Sequence, residues 1–148
     1  MIKKTLKFVV DRLGYQIKAK SAPLDDRPIG NMGFLLEDLK QRGLHCNSIF
    51  DVGANRTSWS TLALEVFSEA IFTLIEPQHE MIPHLQRFCE INQIHKYYLA
   101  GAAAKKGSSI ITIWDDLAGS SFLPDKNESL VESGKQRKVD IILSLIHI

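Results

Sequence analysis

From Ser48 onward, short and nearly continuous apolar runs alternate with stretches of helical period, and this alternation constrains the fold more than any other feature. Ser48-Ile49-Phe50-Asp51-Val52 reads as a strand, followed by a Gly/Asn turn and a helix over about 58–68. Ile71 to Ile75 is a second apolar strand ending at Glu76-Pro77. Met81, Leu85, Phe88 and Ile91 then mark a helix over about 79–92. Tyr97 to Ala100 begins a third strand, Ile110 to Trp114 a fourth with Gly107 in the turn before it, and Val139 to Ile142 starts a fifth. Nearly continuous apolar strands need cover on both faces, which is the condition of a parallel sheet built from βαβ units. The expected fold is α/β, with the strands near 48–52, 71–75 and 97–101 parallel and adjacent. The polar, Gly/Ser-rich stretch 115–136 reads as a long loop.

Upstream, residues 1–47 read as a helical segment and linker. Leu6, Val9, Val10 and Leu13 recur at helical spacing before Gly14, and Phe34, Leu35 and Leu39 form a second stripe closing near Gly43. Between them SAPLDDRPIG carries two prolines and reads as linker. The first helix has a basic polar side, since residues 1–20 hold six Lys/Arg and one acid. Its short apolar stripe lacks Trp and suits docking on its own domain with a solvated basic face; contact with a membrane surface is the weaker alternative.

Charge and composition exclude several classes. A net charge of +1 over 148 residues gives no global field for nucleic acid. No apolar run reaches the ~20 residues needed to span a bilayer. The start is too short and too interrupted, by Asp11, for a signal peptide. Cys46 and Cys89 lack C-x-x-C spacing and read as buried thiols of a reducing, cytoplasmic setting. His79 and His84 are five apart, so they do not share a helical face for a metal, and no metal is expected. Asp115-Asp116, Lys105-Lys106 and Arg137-Lys138 read as solvated surface charge, and Trp59 and Trp114 as packing.

The chemistry concentrates in Ile49 to Ser60, IFDVGANRTSWS. In an open α/β sheet, ligands bind at the carboxyl ends of the strands. Asp51 stands at such an end and is suited to a cationic ligand group, while Gly53 allows close backbone approach and unusual dihedrals. Glu76 stands at the tip of the next strand, 25 residues on, where an acid in nucleotide-binding α/β folds accepts hydrogen bonds from both ribose hydroxyls. A dinucleotide would want three glycines near its pyrophosphate. Gly53-Ala54-Asn55-Arg56-Thr57-Ser58 has one, which disfavours a nicotinamide-dependent oxidoreductase and favours a nucleoside cofactor without phosphates. S-adenosylmethionine fits that description.

IFDVGAN, then LIEP, then a strand closing on Ala-Gly-Ala-Ala, then Gly119-Ser120-Ser121, resembles the FkbM family of methyltransferases over about residues 45–142. The resemblance implies a class I methyltransferase (Rossmann-like) doubly wound sheet, S-adenosyl-L-methionine as methyl donor, and an acceptor hydroxyl on a small molecule or glycan. Carried over by position, Asp51, Gly53 and Asn55 would line the methionine side and Glu76 would bind the ribose. Gly101 and Ala102 would approach the adenine, and Ser120 and Ser121 would lie near cofactor or substrate. Where this chain has Thr57 the family usually has glycine. If that position needs positive φ, threonine costs roughly 1–2 kcal/mol; if it is a helix N-cap, threonine is suited to it.

The resemblance further implies that residues 48–142 are the N-terminal half of the domain, with the catalytic base in an absent C-terminal half. The last six residues, LSLIHI at 143–148, read as the translation of a sequencing-library adapter, the natural chain running on past about Ile142. The alternative there is a natural apolar strand. Two functions therefore compete: a truncated, inactive O-methyltransferase, and a naturally short, non-catalytic module that binds a nucleoside cofactor or a partner.

Overall fold

In a computed structural model, residues 30–91, 93, 95–123 and 126–143 are described. The basic helix expected around residues 6–13, the linker up to Ile29 and residues 144–148 of the terminal segment lie outside them. The chain divides into two compact units, residues 1–35 and 36–148.

Helix α1 spans Met32–Gln41. Asn31 opens it, its Oδ1 accepting from Phe34 N at 3.1 Å. It closes by a Schellman motif: Leu44 N donates to Leu39 O (2.9 Å) and Gly43 N to Lys40 O (3.1 Å), with Gly43 at φ +97. The stop near Gly43 is therefore where the sequence places it, for the reason that only glycine takes this φ without strain.

Strand β1 (Ser48–Val52) pairs in parallel with β2 (Ile71–Ile75), Ser48 opposite Ile71 and Val52 opposite Ile75. On its other side β2 pairs in parallel with β3 (Lys96–Tyr98), giving the order β1-β2-β3. The connections are helical: α2 (Ser58–Val66) after β1, and a 3₁₀ turn (His79–Met81) running into α3 (Ile82–Ile91) after β2. Three adjacent parallel strands with helical crossovers are the expected βαβ arrangement.

The expectation is revised beyond Tyr98. The third strand does not run on to Gly101. It breaks at Leu99-Ala100 and resumes as β4 (Gly101–Ala103), which belongs to a second sheet of order β4-β6-β5. On this edge the ladder reaches Glu76, whose N donates to Tyr98 O and whose O accepts from Ala100 N (both 3.1 Å), and the next N–H, that of Gln78, goes to Glu76 Oε1 instead (2.9 Å). The fourth strand lies earlier than expected, β5 covering Gly107–Thr112, and the fifth starts earlier, β6 covering Gln136–Leu143. Both shifts have one cause. β5 and β6 pair antiparallel from Gly107 opposite Ile141 to Thr112 opposite Gln136, and this pairing recruits polar residues into both strands. The second sheet is thus mixed, β4 running parallel to β6. The 115–136 stretch holds a short helix, α4 (Glu128–Glu132), whose Asn127 Oδ1 caps Ser129 N and Leu130 N.

Phe72, Leu74, Met81, Leu85, Phe88 and Ala63 form the centre of the core, all at most 2% exposed. Cross-strand register puts Ile49 beside Phe72 and Asp51 beside Leu74 on this packed face. The opposite face carries Phe50 (51% exposed), Val52 (46%) and Ile71 (41%). Cover on both faces, as the apolar strands suggested, is therefore not found for β1 among the described residues. None of the described helices is long and apolar enough to cross a membrane.

Candidate functional site

The carboxyl ends of β1 and β2, the start of β4 and the loop after β5 enclose a cleft of about 540 Å3. Seven of the residues singled out from the sequence line it: Gly53, Asn55, Glu76, Gly101, Ala102, Ser120 and Ser121. Asp51 does not. The two-residue period of β1 turns its side chain toward α2, where the carboxylate accepts a short hydrogen bond from Ser60 Oγ (2.5 Å). Burial raises its pKa, and the Ser60 bond offsets part of that rise.

Glu76 is 2% exposed. Its Oε2 accepts from Asn55 N at 2.8 Å, across the gap between the two βα loops, and its Oε1 accepts from Gln78 N at 2.9 Å. Two backbone amides, rather than a cationic side chain, balance this buried carboxylate. Each oxygen keeps further acceptor capacity. Among the described residues, Glu76 is the only ionisable side chain in the lining.

The loop that crosses from β1 to α2 is strained in a pattern. Gly53 (φ +81), Asn55 (φ +45) and Thr57 (φ +61) all have positive φ. A Cβ on Gly53 would meet nothing within 4 Å, so glycine is needed for its φ and the space beside it is open. Thr57 occupies the N-cap position of α2 but makes no side-chain cap. Its hydroxyl donates instead to Arg56 O at 2.7 Å. Of the two roles the sequence allows for Thr57, the strained one holds.

Gly101 has a different reason to be glycine. A Cβ there would lie 2.5 Å from Phe122 Cζ and 2.7 Å from Ile141 Cδ1, so its absence admits the Phe122 ring to the cleft wall. Ser120 Oγ accepts from Trp114 N (3.3 Å) and Ser121 Oγ donates to Leu123 O (2.8 Å). Ser121 also exchanges both backbone hydrogen bonds with Thr112 (2.8 and 3.0 Å). The serine pair thus shapes the loop while lining the cleft.

Three contributors were not singled out from the sequence. Leu117, at φ +61, turns its carbonyl between the two βα loops and accepts from Asn55 Nδ2 (3.3 Å) and Gln78 Nε2 (3.0 Å). Gln78 and Phe122 complete the wall. Gln78 sits only two residues beyond Glu76 and was within reach of the same strand-tip argument. Nothing in the sequence marks a leucine for a left-handed conformation. Arg137, read from the sequence as surface charge, makes a two-pronged ion pair with Glu80 (2.9 and 2.6 Å), which lowers the Glu80 pKa and ties β6 to the turn after β2.

Compared with known proteins, the chain matches no family model, no curated protein and no solved structure. The resemblance to FkbM methyltransferases accordingly rests on the motifs themselves. Among the described residues no group of three or more His, Cys, Asp or Glu is placed to hold a metal ion, and both cysteines are free thiols.

Proposed function

We propose that this cleft binds a nucleoside cofactor, S-adenosyl-L-methionine, and that the chain forms the cofactor side of an O-methyltransferase acting on a hydroxyl of a small molecule or glycan. The observation that carries the reading is Glu76, a buried carboxylate at the tip of β2 opening on the same cleft as the Gly53–Asn55 turn. Its spare lone pairs suit the two hydroxyls of a ribose, and the backbone amides that hold it fix the direction in which they point. The open space beside Gly53 suits the methionine end of the cofactor. Ala100, Gly101, Ala102 and Ile111 supply apolar walls for a flat base. When bound, S-adenosylmethionine supplies an electrophilic methyl group on a sulfonium. The residues in hand contribute binding and orientation, the part of catalysis that comes from positioning.

The test is calorimetric titration of S-adenosylmethionine into the chain and into Glu76→Ala, with thermal unfolding as a check on folding. Loss of the carboxylate should weaken binding by roughly 1–3 kcal/mol, the scale of charge-assisted hydrogen bonds. Unchanged affinity in a folded variant would remove Glu76 from the site and the reading with it.

A further inference from the structure

Asn55 lines the cleft with its backbone at φ +45, a left-handed conformation that few residues other than glycine and asparagine take readily. Three successive amides of this turn reach the tip of β2. Gly53 N and Ala54 N donate to Ile75 O (2.8 and 3.2 Å), and Asn55 N donates to Glu76 Oε2 (2.8 Å). The hold of Gln78 N on Oε1 is local, coming from two residues along the same segment. The Asn55 amide instead ties the carboxylate to the β1 loop. The carboxamide of Asn55 is spent on keeping that turn in shape: Nδ2 donates to Leu117 O (3.3 Å) and Oδ1 accepts from Arg56 N (2.9 Å). Turning the carboxamide over would set oxygen against oxygen and N–H against N–H, so the two bonds together fix its orientation.

We propose that Asn55 is a positioning residue that selects a ribose over a deoxyribose: its left-handed backbone aims Glu76 Oε2 at the sugar hydroxyls, and its side chain holds that backbone rather than the ligand. On the nucleoside reading above, on which this rests, Asn55 thus supports the ribose contact instead of lining the methionine side. A hydroxyl donates well only along a free lone pair of the carboxylate. With Asn55 N in place, one side of Oε2 is taken and the direction of the other is set. Were the backbone to leave the left-handed region, the amide would leave Oε2, and the carboxylate would be held by Gln78 N alone. The loss would fall on the hydroxyl contacts and spare the rest of the nucleoside.

Affinities of adenosine and 2′-deoxyadenosine are measured by calorimetry on the full chain, on Asn55→Val and on Asn55→Gly. The wild type should favour adenosine by about tenfold, the scale of one hydrogen bond to a charged group. Valine resists the left-handed backbone, so in Asn55→Val the preference should fall to near unity with 2′-deoxyadenosine still bound. Glycine takes that backbone without a side chain, so Asn55→Gly should weaken both ligands alike and keep the preference. A merely structural role would lower both affinities in either variant and leave their ratio unmoved. Should Asn55→Val lack a cooperative melt, Asn55→Ala, which meets the same φ with a smaller side chain, replaces it. A preference that survives in the valine or alanine variant, or that is lost equally in the glycine one, overturns the role of Asn55 and leaves the nucleoside site standing. Equal binding of the two ligands by the wild type takes the sugar hydroxyl off Glu76 and overturns this inference. Failure of the wild type to bind either overturns the nucleoside reading, and this inference with it.

Discussion

Thr57 is the residue at which local preference and fold disagree most openly. A β-branched side chain is held at φ +61 with no capping bond in return, inside a loop that also bends Gly53 and Asn55 to positive φ. Replacing it with glycine should raise stability by about 1 kcal/mol, the left-handed strain of a non-glycine residue less the packing lost from a buried methyl. Denaturant titration measures this directly. Gly101 is the opposite case, constrained by space rather than by dihedral angle. Gly101→Ala should destabilise by about 1–3 kcal/mol, as overpacking does. Much of that loss should return in the double variant with Phe122→Ala, because the ring is the first atom group the new methyl meets. Lack of recovery in that cycle would point to Ile141 as the harder wall. At this scale the sequence was partly legible. The need for glycine at 53 followed from the turn, whereas the threonine conflict was visible only as a pair of alternatives.

Elements bounded by their own punctuation were readable, and elements bounded by a distant partner were not. β1 and β2 occur at the predicted residues, since the turn at Gly53 and the Glu76-Pro77 step end them locally. The apolar run 97–101 contains no such mark. Its division between two sheets is decided by β6, which the chain supplies some forty residues later and which also draws β5 back to Gly107. Asp51 teaches a related lesson: its place at a strand tip was correct, but the alternation of side chains along β1 points it at Ser60 rather than into the cleft. Between α3 and β3, His95 is 4% exposed, stacked 5.2 Å from Phe88, with Nδ1 accepting from Phe72 N at 3.3 Å. Burial holds its pKa below the ordinary 6.5. The unfolded chain therefore takes up a proton below about pH 6.5 that the folded chain resists. Stability should fall as pH drops through that region and be insensitive to this group above it. Melting temperatures from pH 5 to 8 should show the decline, and His95→Gln should flatten it.

Across the whole molecule, the first sheet is covered unequally. Among the described residues β1 has one strand neighbour, β2, and its outward face presents Phe50 and Val52 to solvent. An apolar edge of this kind is a template for association. The double variant Phe50→Lys, Val52→Lys should reduce concentration-dependent self-association in sedimentation velocity while shifting stability by under about 1 kcal/mol; unchanged association would assign it to another surface. The Leu117 carbonyl has a different consequence, one of timing. It joins partners 62 and 39 residues away in the chain, so the roof of the cleft depends on contacts far less local than the adjoining crossovers. Contacts of that range are entropically expensive to close and tend to form late. The same contacts are few and depend on strained backbone, which places them among the first to open while the β1–β2 ladder stays intact. For the ligand proposed above, entry and release would then need only a partial opening of this one loop, on a timescale set by the loop rather than by the unfolding of the domain.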